Sequence, residues 1–285
     1  MVNLSKEARE KQSPEGLWHA LNDAETRSMS HIADQLAPFD SAVCNCYEAG
    51  VQAQCLPCRR HGAIDLRSAG LFLKRVLTDL RGMWLLAVRG YTGQAASLAA
   101  SLFEHALAAE AIAGNPERAE HCMNKAELGI PWSVKELARL AREHAADTQA
   151  EVTYFTYRWL CKIKHPTIPS LLNEARSTKL DSNAFVIMAL PNATEEDISL
   201  KGLILTDGLL EAKTAISAFV EASEAITTTP VYADFQDRMT RFGADLRLAF
   251  WRTCKAGSPL RVDPRHFAIQ AFDNPFEGSK SGPLP

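Results

Sequence analysis

Residues 95–112 read AASLAASLFEHALAAEAI, a run of mostly small side chains with Leu98, Leu102, Phe103, Leu107 and Ile112 set among them. Apolar residues at three- to five-residue spacing define a helix, and the alanines and serines between them let neighbouring backbones approach closely. This segment therefore predicts the central and most buried helix of a bundle. Gly114-Asn115-Pro116 stops it. Upstream, Ile64, Leu66, Leu71, Phe72, Val76, Leu77, Leu80, Trp84 and Val88 recur at helical spacing up to Gly90, so residues 64–114 predict an antiparallel helical hairpin.

Working outward, Ser13-Pro14 opens a helix through Leu17, Trp18, Leu21, His31, Ile32 and Leu36, which Pro38 should end at about residue 37. Residues 39–62 lose periodicity and read as an irregular cysteine-rich knob. Helices follow over 116–128, over 133–146 behind a Ser133-x-x-Glu136 capping box, and over 148–164 before Pro166. Residues 184–190, AFVIMAL, read as a short strand. Residues 200–225 and 232–254 complete the helices, and the proline-rich last thirty residues read as extended. The expected class is an all-α bundle. Its expected parts are an N-terminal helix and knob over 1–62, a bundle over 63–255 and a tail over 256–285.

The 285 residues suffice for one large or two small domains at roughly 150 residues each. Lys and Arg number 31 against 34 Asp and Glu, so a net charge of −3 excludes a global basic field, and any anion site must be local. The N-terminus has no apolar leader, and Glu104, His105 and Glu110 interrupt the richest apolar run; neither export nor a membrane partner is expected. Seven cysteines without a leader point to reduced thiols or metal ligands in the cytoplasm. Phosphate-binding loops, dinucleotide turns, nucleophile elbows and the His-Glu-x-x-His zinc motif are all missing.

One constellation carries chemistry. Tyr-Arg-Trp-Leu-Cys-Lys-Ile-Lys-His-Pro places Arg158 and His165 seven residues apart, on one face of a helix and roughly 10 Å along its axis. Tyr154 shares that face, and Lys162 and Lys164 add charge in a stretch without acids from Val152 to Asn173. A guanidinium to hold phosphate oxygens and an imidazole to move a proton suit a phosphodiester. Lys162, Lys164 and Tyr154 would add contacts to such a phosphate backbone. The same residues also suit a helix end with a solvated basic face.

The stretch AASLAASLFEHALAAEAIAGNPERAEHCMNKAE, followed by TYRWLCKIKHPT, resembles a family of bacterial helical proteins similar to HEPN domains. Active members of that class carry an Arg, four to six intervening residues and a His, which Arg158 and His165 match at the outer limit. The resemblance implies a metal-independent endoribonuclease, a toxin or antiviral effector, with a site composed across a homodimer and an antitoxin or defence-system partner. It also implies Glu104 as the acid that orients Arg158. One departure stands out: Trp159 follows the Arg, where active members have a polar residue. The alternative expectation is a non-catalytic helical module that binds a protein or nucleic acid.

Cys44, Cys46, Cys55 and Cys58, with His61 nearby, form the densest ligand cluster in the chain. Four thiols within fifteen positions of a segment without its own apolar core suit a structural Zn2+. Redox use of Cys55-Leu-Pro-Cys58 and plain reduced thiols are the competing readings.

Overall fold

The computed structural model describes residues 14–124, 129–145, 147–165, 180–181, 184–185, 195–254 and 266–272. In chain order these form α1 (Pro14–Cys55), α2 (Ile64–Val88), α3 (Thr92–Ile112), α4 (Pro116–Asn124), α5 (Val134–Ala141) and α6 (Asp147–Lys164). Then come β1 (Leu180–Asp181), β2 (Ala184–Phe185), α7 (Glu195–Ser223), α8 (Pro230–Thr253) and α9 (Phe267–Ala271). The fold is an all-α bundle.

The alanine-rich run folds as α3 and is its axis. Ala95, Ala99, Leu102, Phe103 and Ala106 are fully buried, and α3 packs on α2, α5, α6 and α7. Small side chains on one helix surface allow several neighbours to share it, which longer residues would prevent. The predicted hairpin of α2 and α3 forms, turned at Gly90, whose φ of 88° lies in the left-handed region that glycine enters at no steric cost.

Residues 39–55 are helical, which corrects the expected irregular knob. The helix runs through Pro38, and Phe39, Val43, Cys46, Ala49 and Ala53 are buried at intervals of three or four, with Ala42 beside them. Past Phe39 and Val43 that period is carried by alanine and cysteine, residues too small to stand out in a hydropathy reading, but their size lets α1 lie close to α2 and α7. At Gly50 the closeness is extreme: a Cβ there would stand 2.5 Å from Leu77 Cδ2. The link after α1 is tied down by backbone pairing, with Ile226 N–H donating to Pro57 O at 2.8 Å and Arg59 N–H to Glu224 O at 3.3 Å.

Of the predicted strand, only Ala184 and Phe185 lie within the described residues, and they pair antiparallel with Asp181 and Leu180. Residues 186–190 lie outside them, as do 125–128 at the end of the fourth predicted helix. In the tail expected to be extended, α9 docks on α7 and α6. Asp207 Oδ1 accepts from Ala268 N–H at 3.1 Å, Thr156 Oγ1 accepts from Phe267 N–H at 3.1 Å, and Phe272 packs on Phe250. Among the described residues no helix is long and apolar enough to cross a membrane.

Candidate anion-binding cleft

The cleft begins with how α5 is held. Ser133 caps it in both directions: its hydroxyl accepts from Glu136 N–H, and Glu136 Oε2 accepts from Ser133 N–H at 2.8 Å. Leu137 and Ala138 on the inner face pack against Leu107, Ala108 and Ala111 of α3. Opposite, α6 turns Thr153, Thr156, Leu160 and Ile163 inward. Between the two helices lies a cleft of about 1140 Å³.

Its lining combines cations with rings. Lys135 and Arg139 project from α5, and Arg158 and Lys162 from α6, while Trp132, Tyr154, Phe155 and Trp159 supply aromatic faces. Trp132 stands 5.6 Å from the His121 ring, and Trp159 meets His266 edge-on at 4.5 Å, so both indoles are backed by other side chains. Three acids share the lining, Glu136, Glu143 and Glu151. Two of these are already engaged. The Ser133 hydroxyl, with the Ser133 N–H, holds the Glu136 carboxyl below the usual range, and the Arg118 guanidinium does the same for Glu143.

Arg142, which also lines the cleft, is buried between two carboxylates. It donates to Glu110 and forks onto Glu211 at 3.1 and 2.9 Å. Burial pushes the Glu211 carboxyl up, against the pull of Arg142. A low-dielectric pocket with two acids and one base makes Arg142 a structural anchor.

The structure brings some of the sequence-predicted residues together and separates others. Arg158, Lys162 and Tyr154 line the cleft. Lys164 and His165 are exposed at the end of α6 but do not belong to the described lining. Glu104 meets the neighbour of Arg158: its Oε1 accepts the Tyr157 hydroxyl at 2.8 Å. Burial first, then hydrogen bonds with Cys161 and Glu104, raise the Tyr157 phenol above its ordinary value, so it stays a neutral donor. Tyr157 and Arg158 are adjacent, about 100° apart around the helix, so the inward position went to the tyrosine.

The five expected zinc ligands are not gathered. Cys44 and Cys46 sit two residues apart on α1, about 200° around it, which sends Cys44 to the surface and Cys46 into the core. Burial pushes the Cys46 thiol up to about 12. Cys55 and His61 are exposed, and Cys58 sits in a backbone bridge to Ala225. Among the described residues no group of three or more His, Cys, Asp or Glu side chains is placed to hold a metal.

Trp132, Lys135 and Arg139 escaped the sequence reading because nothing local couples α5 to α6. The capping box was the available signal, since it fixes which face of α5 is outward. Two polar clusters were missed for the same reason. Asp79 Oδ2 lies 2.9 Å from both Ser101 Oγ and His105 Nδ1, and Asp207 Oδ2 lies 3.1 Å from His266 Nδ1.

A chain with this bundle and cleft is defined by architecture rather than by kinship. No family model, no curated protein and no solved structure matches it.

Proposed function

We propose that the protein is a helical module that binds single-stranded RNA in the α5–α6 cleft. One observation carries the reading: four cations, Lys135, Arg139, Arg158 and Lys162, and four aromatic side chains line one open cleft of a chain whose net charge is −3. Phosphates need the cations, unpaired bases need rings to stack on, and a site that supplies both fits a flexible single strand better than a duplex.

The test is fluorescence anisotropy with short labelled RNA at several salt concentrations. Arg158→Ala and Arg139→Ala should each reduce affinity and flatten the salt dependence by roughly one phosphate contact. Tyr154→Ala should cost about 1–3 kcal/mol with little change in that slope. Affinity that is indifferent to all three substitutions would remove the proposal.

A second reading, the HEPN-type endoribonuclease of a toxin or defence system, is favoured by one observation: Arg158 and His165 are both exposed on α6 and its C-terminal end. In that reading a homodimer joins two Arg/His sets, and RNA cleavage needs no metal. Incubating mixed cellular RNA with the protein and with His165→Ala separates the two. Cleavage lost in the variant supports the nuclease, and RNA bound but left intact by both supports the binding module.

A further inference from the structure

We propose that the outward face of α2 docks an acidic amphipathic helix of a partner protein. The helix carries two acids, and both point inward. Asp65 is fully buried, pairs with Arg60 at 3.0 Å and accepts from Gly114 N–H at 2.9 Å. Asp79 is buried on Ser101 and His105. The outer face of the helix is therefore left without a negative charge of its own.

That surface has a register. Ile64, Leu71 and Leu85 are 41%, 63% and 39% exposed, and they fall on one row of seven-residue spacing with Thr78 at the remaining place. Beside them Arg67, Lys74 and Arg81, all exposed, form a second row of the same spacing. None of these three makes an ion pair with another described residue. Each heptad advances about 10 Å, so both rows run nearly straight along the helix.

Two parallel rows of this kind are half of a helix-to-helix seam. The apolar row is what a second helix packs along, and the cations beside it stand where flanking charges choose the partner. The complement is a helix with an apolar stripe edged by Glu or Asp. A second copy of α2 would set cations against cations. A bare phosphate chain would leave Leu71 in water, and a lipid surface calls for an apolar face broader than one row. The proposal is independent of the RNA reading, which concerns the α5–α6 cleft.

The probe is a synthetic labelled helix about four heptads long, with Leu at the seam positions and Glu at the flanking ones. Its controls are a scrambled peptide of the same composition and a version with Lys for Glu. The full chain should bind the first and neither control. Affinity should fall about tenfold or more in Arg67→Glu/Lys74→Glu/Arg81→Glu and, separately, in Leu71→Glu. Arg158→Ala should leave it unchanged, and circular dichroism would show that each variant is folded. Equal binding of the scrambled peptide, no binding of the heptad peptide, or variants that bind like the parent would overturn the proposal. So would phosphatidylserine vesicles or RNA held by this face, and released by the same variants, while the peptide stays unbound.

Discussion

Arg142 shows how much a single side chain can decide. It stands at the end of α5, between Glu110 of α3 and Glu211 of α7, and so joins three helices through one guanidinium. Replacing it with Met removes both pairs and leaves two buried carboxylates facing apolar surface. Arg142→Met should therefore cost about 3–5 kcal/mol, read as a lower midpoint in urea unfolding. A loss below about 1 kcal/mol, the scale of an exposed ion pair, would mean that water reaches the pair. The sequence did not announce this arginine, because its partners lie 32 and 69 residues away. Glu104 makes the converse point. Its place beside the α6 motif was legible, but which α6 side chain would meet it depended on a rotation of one residue.

At the scale of elements, α5 is short and leans on its cap. Its inner face offers Leu137 and Ala138 to α3, so the Ser133–Glu136 box supplies much of what keeps its first turn wound. Ser133→Ala should destabilise the fold by about 0.5–2 kcal/mol. RNA affinity should fall as well, because Lys135 and Arg139 sit on that turn and the next. Comparing the urea midpoint with anisotropy checks this, and an unchanged affinity would place the cleft's cations on a turn that holds without its cap. The capping box was readable in sequence because it is local. The continuation of α1 past Pro38 was not. Past Phe39 and Val43 its buried stripe is built from alanine and cysteine, and the packing that rewards such residues comes from α2, α7 and α8.

Across the whole molecule, buried ionisable groups set how stability follows pH. Burial holds the Lys201 ammonium down at about 8, against 10.5 in the open, with Asp197 pulling the other way. Between those values the unfolded chain holds the extra proton, so this lysine makes stability rise with pH across that window. Asp207 and Glu211 behave oppositely. Burial raises both carboxyls, so the folded state keeps protons that the unfolded chain has lost, and their contribution is lost as pH rises through the carboxylate range. Urea unfolding at a series of pH values should show an alkaline rise in the parent that Lys201→Met abolishes. A rise that persists in the variant would assign it elsewhere.

What sequence determined by itself was whatever repeats locally: the helices, the α2–α3 hairpin, the central place of the alanine-rich run, the cap on α5 and the cationic face of α6. Each follows from the 3.6-residue period, or from side chains that bond their own backbone, and needs no distant partner. Tertiary structure decided which cations share a cleft, which acids turn inward on α2, where Glu104 finds its donor, and that Cys44 and Cys46 part company. Those outcomes depend on the angle at which one helix meets another. That angle is set by how all the buried side chains fit at once, and no short stretch of chain contains it.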